Sequence, residues 1–175
     1  MATERTDVFK LGSQAVTMVG DEVQVGQNAP EFLVHANDWT KVYGLESTHG
    51  KVRIIAPLPS LNTSVCDRET RRFNEEAASL GSDIVIMVLS TDLPYAQKNW
   101  CGAAGVDRVI TLSDHFDTNF GEKYGVLIKE RRIFRRAVFV VDRGGKIVYA
   151  EYMTSQGSEP DYAQVINAAR KALDR

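Results

Sequence analysis

The sequence predicts an α/β fold in which a mixed β-sheet is flanked by helices. Residues 83–89 (DIVIMVL) form an almost continuous apolar run, which is typical of a central strand covered by helices on both faces. Residues 64–80 carry apolar side chains at helical spacing. Two late strand segments are joined by the tight-turn sequence DRGG. Alternating strands and helices imply parallel strands, to which the late hairpin adds an antiparallel pair.

The N-terminal third of the chain is predicted to be rich in short strands. Residues 15–25 (AVTMVGDEVQV) alternate apolar and polar residues around a break that contains glycine, which predicts a β-hairpin. Two further short strands are expected at residues 31–36 and 39–45. Residues 51–57 predict the first central strand, and two prolines end it because proline cannot donate to a sheet ladder.

The rest of the chain alternates helices with strands. The helix at 64–80 ends before Gly81, since a glycine commonly follows the end of a helix. The later elements are a strand at 83–89, a helix at 94–103, a strand at 109–112, a helix at 117–124, strands at 136–141 and 146–151, and a last helix from a Ser158 cap to Leu173. This order fits a thioredoxin-like fold with an N-terminal hairpin extension, in a single domain that spans residues 1–175.

The composition is that of an ordinary globular protein, and it excludes several function classes. The formal net charge of −2 gives no signal for nucleic-acid binding. No apolar run is long enough to span a membrane, and the polar N-terminus lacks the apolar core of a signal peptide, so a cytoplasmic location is expected. Two cysteines, Cys66 and Cys101, are too few for a zinc site, and we expect no metal or cofactor.

Cys66 lies where a proline-bounded loop turns into the helix at 64–80. Free backbone N–H groups and the helix dipole favour a negative charge there, and a cysteine is a nucleophile only as its thiolate. Thr63 can place its hydroxyl beside the sulfur, and Pro59 can shield it from water. A structural interpretation fits equally well, with Thr63 as the helix N-cap, Pro59 as a strand terminator and Cys66 as a core residue. The local pattern leaves both interpretations open.

A wider set of motifs resembles one enzyme family. The segment Pro59-Ser-Leu-Asn-Thr63-Ser-Val-Cys66 is similar to P-x-x-x-T-x-x-C, the active-site signature of the peroxiredoxins. The segments STDLPYAQKNWCGAAG, TLSDH, RRAVFVVD and EPDY then follow in an order that resembles the bacterial thiol peroxidases, which are atypical two-cysteine peroxiredoxins. The resemblance covers nearly the whole chain and includes the N-terminal hairpin.

The resemblance implies a role for each of five residues. Cys66 matches the peroxidatic cysteine, which attacks the peroxide O–O bond and becomes a sulfenic acid. Cys101 matches the resolving cysteine, which then forms an intrachain disulfide with it. Thr63 matches the residue that hydrogen-bonds the sulfur and the peroxide, Arg136 matches the arginine that holds the thiolate, and Pro59 matches the proline that shields it. The resemblance also implies hydrogen peroxide and organic hydroperoxides as substrates, thioredoxin as reductant, and a homodimer.

The two cysteines fall on different predicted helices, although a disulfide requires Cα atoms within roughly 7 Å of each other. We therefore expect the reduced fold to hold Cys66 and Cys101 further apart, and local unwinding around one or both cysteines to bring them together, because short polar helices open at low cost. A sulfenic acid survives reversibly only if a thiol traps it before further oxidation, and the second cysteine meets that need.

Other residues and another function compete with this interpretation. Arg135 is nearly as suitable as Arg136 on sequence chemistry alone, because both belong to one basic cluster. His35, His49 and His115 are expected to be surface or capping residues, since no other feature of a Cys-His protease accompanies them. The alternative function is that of a non-enzymatic peroxide sensor or chaperone-like protein of the same fold, which is oxidised but not turned over.

Two positions depart from the usual pattern of the thiol peroxidase branch. Asn62 stands where aspartate is common, and Ser64 stands where proline is common. The missing proline frees a backbone N–H and loosens the loop before Cys66. The missing carboxylate removes a negative charge near the sulfur, which favours the thiolate.

Overall fold

The computed structural model describes residues 1–175, with one short 3-10 helix at Glu46–Thr48. The strands are β1 (Glu4–Leu11), β2 (Gln14–Val19), β3 (Leu33–His35), β4 (Lys41–Tyr43), β5 (Val52–Pro57), β6 (Ile84–Ser90), β7 (Ile110–Ser113), β8 (Leu127–Ile128), β9 (Ile133–Phe134), β10 (Ala137–Val141) and β11 (Ile147–Tyr152). The helices are α1 (Ser64–Ala77), α2 (Pro94–Ala104), α3 (Asn119–Lys123) and α4 (Tyr162–Ala172). None of the helices combines the length and apolar character needed to cross a membrane.

Seven strands form the main sheet, in the order β11-β10-β5-β6-β7-β3-β4. β5, β6 and β7 run parallel, while the other four strands pair antiparallel with their neighbours. Alternate residues of β5 point to opposite faces of the sheet. Ile54 joins a core that includes Phe73 of α1 and Val165 of α4, and Ile55 joins an aromatic-rich core on the other face. The predicted mixed sheet between helices is thereby confirmed.

The N-terminal hairpin is present, but it lies earlier than the predicted residues 15–25. β1 and β2 pair across a two-residue turn that contains Gly12, whose φ is 60°. Most side chains of β1 are exposed and only Phe9 is buried, so this strand lacks the apolar alternation that would reveal it in the sequence. The break at Gly20 is the exit from the hairpin, where an added Cβ would overlap the carbonyl oxygen of Glu122.

A second sheet, in the order β1-β2-β8-β9, is absent from the sequence prediction. β8 and β9 have two residues each and are joined by a charged segment, residues 129–132, so neither shows a strand pattern. Met18 of β2 pairs with Ile128 of β8, and β8 pairs with β9. This small sheet fixes the segment that leads directly into Arg136.

The last helix begins later than predicted. Its N-cap is Asp161, whose side chain accepts a hydrogen bond from the backbone N–H of Gln164. Ser158, the predicted cap, contacts the hydroxyl of Ser155 instead. Serine and aspartate can both cap a helix, so the sequence alone offers Ser158 and Asp161 as candidates. Only Asp161 lies next to Tyr162, where the first free N–H groups of the helix are.

Candidate active site

The loop between β5 and α1 delivers Cys66 to the first turn of a helix. Pro59 is buried in this loop, and α1 ends short of the predicted Leu80. Thr63 has extended backbone angles (φ −91°, ψ 147°), and its Oγ1 accepts a hydrogen bond of 3.3 Å from the backbone N–H of Cys66. Thr63 is therefore the N-cap of α1. No protein group accepts a hydrogen bond from its hydroxyl, and the residue is exposed, so the hydroxyl is free to donate to a small molecule.

A buried arginine contacts the sulfur of Cys66. The Cys66 side chain is inaccessible to solvent, and Arg136 Nη2 donates to its Sγ at 3.2 Å. Arg135 lies elsewhere: it donates to the carbonyl oxygen of Met153 and forms an ion pair with Glu22. The structure thus separates the two arginines that sequence chemistry leaves nearly equivalent, because these successive residues, directly before β10, turn their side chains to different partners.

Two residues that the sequence interpretation missed hold Arg136 in place. Glu69, fully buried on α1, forms an ion pair with Arg136 Nη1. The backbone N–H of Arg136 donates to Gln156 Oε1 at 3.0 Å. Arg136 Nη2 donates to the backbone carbonyl oxygen of Gln156 at 3.1 Å. Gln156 Nε2 donates to the carbonyl oxygen of Phe134 at 2.9 Å. A signal for Glu69 exists in the sequence, because it is a carboxylate in the apolar side of a helix, three residues after Cys66.

The charges at this site are strongly coupled. Burial raises the pKa of Glu69 to about 7, against the attraction of Arg136. Burial also opposes the charge on Arg136, but the Glu69 carboxylate and the Cys66 sulfur outweigh it, so the pKa of Arg136 is raised. Glu69 Oε1 and Arg136 Nε are buried without a hydrogen-bond partner. The Arg136 guanidinium therefore contacts two groups that can carry a negative charge, Cys66 and Glu69, while one acceptor and one donor at the site stay without a hydrogen bond.

The second cysteine has different surroundings. Cys101 lies in the C-terminal half of α2 and is partly buried. Its Sγ lies 3.4 Å from Thr111 Oγ1, on β7. Cys66 and Cys101 are both free thiols, and they contact different partners. The structure brings Thr63, Cys66 and Arg136 together, and it leaves Cys101 outside that group.

Asp92 connects the loop before Cys66 with the start of α2. Its carboxylate accepts hydrogen bonds from Ser60 Oγ (2.7 Å), from the backbone N–H of Leu61 (2.9 Å) and from Ser90 Oγ (2.7 Å). Gln97 of α2 donates to the same Ser90 hydroxyl at 3.0 Å. The two cysteine-bearing segments therefore share one hydrogen-bond network, which sequence analysis missed because its members carry no common pattern.

The histidines and the tryptophan beside Cys101 have structural surroundings. His115 Nδ1 lies 3.0 Å from Ser113 Oγ, and its ring packs against His35 at 5.3 Å between centroids. Burial, together with His35, lowers the pKa of His115. Trp100 packs against the core beneath α1. No histidine is hydrogen-bonded to a cysteine, and no group of three or more potential ligands could hold a metal ion.

Comparison with known proteins identifies the class of protein. The family model described as Redoxin matches residues 24–166. A peroxiredoxin-like protein from Aquifex aeolicus has a TM-score of 0.85 and 36% identity, and the match covers 98% of each chain. A thiol peroxidase from Chromobacterium violaceum, with a TM-score of 0.82 over 95% of this chain and 97% of that one, is 18% identical and supports the fold alone. The chain belongs to the redoxin family.

Curated relatives identify the branch of that family. The thiol peroxidase of Bacillus subtilis (strain 168) is 53% identical over 162 residues, which cover 93% of this chain and 95% of the relative. The thiol peroxidase of Oceanobacillus iheyensis is 50% identical over 156 residues, which cover 89% of this chain and 94% of the relative. These matches confirm the resemblance to the bacterial thiol peroxidases. The protein is accordingly an enzyme, a thiol-dependent peroxidase.

Proposed function

We propose that the protein reduces hydrogen peroxide and organic hydroperoxides through a sulfenic acid on Cys66, which Cys101 resolves to an intrachain disulfide that thioredoxin reduces. The observation that carries the proposal is the contact between the Arg136 guanidinium and the Cys66 sulfur at the N-terminus of α1. A permanent cation and free helix N–H groups both favour the thiolate, which is the reactive form.

In the first step the Cys66 thiolate attacks one oxygen of the peroxide. A sulfur–oxygen bond forms, the O–O bond breaks, and the leaving hydroxide or alkoxide takes up a proton from solvent, which received the thiol proton, and departs as water or alcohol. Negative charge develops on the oxygens, and the Thr63 hydroxyl and Arg136 are the donors proposed to stabilise it. Arginine suits this role because it stays cationic and holds its donors in a rigid fork. Pro59, buried in the loop, limits the access of water.

In the second step the Cys101 sulfur attacks the sulfenic sulfur of Cys66. The disulfide bond forms, the S–O bond breaks, and hydroxide leaves with the thiol proton as water. Because the two sulfurs have separate partners in the folded protein, local unwinding has to precede this step. Two electrons and two protons from the thioredoxin dithiol then restore both thiols.

We further propose a single domain over residues 1–175, a cytoplasmic location and a homodimer. The exposed rings of Trp39, Tyr95 and Phe116 cluster with two histidines on one surface, which supports an interface there. Analytical ultracentrifugation tests the homodimer and its interface. A dimer that Trp39→Ala converts to a folded monomer supports it, and a monomeric wild type contradicts it.

The test of the activity is peroxide consumption coupled to NADPH, thioredoxin reductase and thioredoxin. Sustained turnover that Cys66→Ser abolishes is the expected result. Cys101→Ser should still consume one equivalent of peroxide and stop at a sulfenic acid, which a cyclic 1,3-diketone labels. Mass spectrometry of the non-reduced wild type should show a Cys66–Cys101 disulfide within one chain. A single stoichiometric oxidation of the wild type without turnover would instead indicate a peroxide sensor.

A further inference from the structure

The Cys101 thiol is hydrogen-bonded to Thr111, which is in turn hydrogen-bonded to Asn37, and neither residue takes part in the proposed peroxide chemistry. Thr111 Oγ1 lies 3.4 Å from Cys101 Sγ, and the amide of Asn37 flanks the same hydroxyl with its Nδ2 at 3.0 Å and its Oδ1 at 3.2 Å. Thr111 is nearly buried on β7, the neighbour of the parallel strand β6. Asn37 sits in the turn that follows β3, closed by a 2.9 Å bond between Ala36 N and Thr40 O.

This arrangement can satisfy Cys101 in either protonation state. When the thiol is protonated, its S–H donates to Thr111 Oγ1, and the Thr111 hydroxyl donates a hydrogen bond to Asn37 Oδ1. When the sulfur is a thiolate, the threonine hydroxyl rotates to donate to it, and Asn37 Nδ2 still donates to the threonine oxygen. The contact between Cys101 and β7 therefore persists as long as α2 remains folded.

α2 is attached to β7 at two points of unequal strength. Gln97, 1% exposed, donates to the backbone carbonyl of Leu112 at 2.9 Å and to Ser90 Oγ, which anchors the N-terminal half of the helix. Four residues later, Cys101 has only its sulfur contact with Thr111. The C-terminal turn ends at the Gly105 cap and accepts a 3.1 Å bond from Arg71 at the Ala104 carbonyl oxygen. It contains the exposed Gly102, and both buried residues of α2 lie in the other half of the helix, so the C-terminal half has less burial to lose on opening.

We propose that Asn37 and Thr111 form a latch on the resolving cysteine. The Thr111 hydroxyl, oriented by Asn37, holds reduced Cys101 in folded α2, and release of this contact sets how fast Cys101 reaches the Cys66 sulfenic acid. Both residues are positioning residues that act through Cys101. The inference rests on the proposed function, because it assumes that Cys101 resolves Cys66.

The latch controls a competition between two fates of the Cys66 sulfenate. Cys101 converts the protonated sulfenic acid to the disulfide with release of water, whereas a second peroxide molecule transfers an oxygen atom to it, giving a sulfinic acid and water or alcohol. A hydrogen bond that keeps Cys101 folded slows the first reaction and leaves the second unchanged. Loss of the hydroxyl should therefore raise the peroxide concentration at which half of Cys66 is overoxidised, by about fivefold, the factor that corresponds to about 1 kcal/mol.

The experiment compares the reduced wild type with Thr111→Val, Thr111→Ser and Thr48→Val over a range of hydrogen peroxide concentrations. Thiol-blocked samples are scored by mass spectrometry for disulfide and sulfinic acid. We expect the fivefold increase in Thr111→Val and wild-type values in Thr111→Ser, which keeps the hydroxyl. Thr48→Val is the matched control, since it deletes another buried threonine hydroxyl with hydrogen bonds far from either cysteine. It should lower stability without shifting the competition.

An unchanged or lower half-overoxidation concentration in Thr111→Val contradicts the latch, and so does an equal increase in Thr48→Val. If Thr111→Val does not fold, Asn37→Ala replaces it, because Asn37 is partly exposed and its loss should shift the competition in the same direction by a smaller factor. A wild type that forms no Cys66–Cys101 disulfide at any peroxide concentration overturns the proposed function. A normal wild-type disulfide with no shift in the variants overturns the latch alone.

Discussion

The two cysteines of this chain have opposite surroundings. Cys66 is fully buried, starts a helix and contacts a guanidinium that is itself held by a carboxylate and a glutamine. Cys101 is partly exposed, lies near the end of a shorter helix and contacts one neutral hydroxyl. The first site has fixed charge, which suits attack on a peroxide, and the second has a neutral and exchangeable contact, which suits departure.

The difference also shows how a fold can separate two demands. A reactive sulfur needs donors that do not reorganise during the reaction, and Arg136, held directly before β10 by Glu69 and Gln156, meets that need. In the proposed mechanism Cys101 has to leave its site within the lifetime of the sulfenic acid, and the buried residues that anchor α2 lie in the other half of that helix. Asp92 bonds to the loop before Cys66 and, through Ser90, to Gln97 of α2, so the two regions share one hydrogen-bond network.

The largest expected effect tests whether the charge of Arg136 accounts for the difference between the two cysteines. Arg136→Met should lower the rate constant for oxidation of Cys66 by roughly 100- to 1,000-fold, as loss of one preorganised donor commonly does. Stopped-flow competition for hydrogen peroxide measures it. Arg135→Met is the matched control: it removes an adjacent buried arginine that bonds Met153 and Glu22, and should cost stability while leaving the rate close to that of the wild type. Equal losses in both variants would contradict the assignment.

The chemistry of Cys66 could be predicted from sequence only in part. Thr63 lies within one helical turn of it, so its position as the N-cap follows from local rules that need no tertiary structure. Arg136 lies 70 residues further along the chain, and residue chemistry alone left Arg135 nearly as suitable. The different partners of the two side chains directly before β10 decide between them, and those partners depend on the tertiary fold, which no local pattern specifies.

Some strands of the fold could likewise be predicted from local sequence, and others depend on contacts with distant residues. The apolar runs of β5 and β6 predict central strands, because burial on both faces leaves a strong pattern. β8 and β9 are too short and too charged at their junction to leave any pattern, and β1 is exposed along most of its length. Gln156, Asp92 and Thr111 are ordinary polar residues whose contacts come from other elements, so only the folded chain reveals them.

The network around Asp92 provides the second test, because it touches both regions at once. Asp92→Ala removes the acceptor of three hydrogen bonds and should lower the free energy of unfolding by about 2 to 3 kcal/mol. Hydrogen exchange should accelerate in residues 58–66 and 93–104 together. Asp67→Ala on α1 is the control, since its partially exposed ion pair with Arg71 contributes less than about 0.5 kcal/mol. Faster exchange in one segment alone would show that Asp92 does not couple them.

The third test concerns the carboxylate that shares Arg136 with Cys66. Burial raises the pKa of Glu69 from 4.5 to about 7, although Arg136 opposes this. The folded protein therefore binds this proton more tightly than the unfolded chain, and Glu69 makes stability fall as pH rises from about 4.5 to about 7. Glu69→Gln should remove this contribution in urea unfolding measured across that range. Glu75→Gln, at an exposed position of the same helix, should retain it; an identical decline in Glu69→Gln contradicts the prediction.

The smallest expected effect concerns the stiffness of the loop before Cys66. Ser64 is the first residue of α1, and its backbone N–H makes no hydrogen bond within the protein. Thr63 already has the extended angles that a following proline requires. Ser64→Pro should therefore raise the free energy of unfolding by about 0.4 to 1 kcal/mol, because it restricts the unfolded chain without straining the folded one. Chemical denaturation measures the gain, and a loss of stability would show that the serine hydroxyl or its N–H contributes a contact.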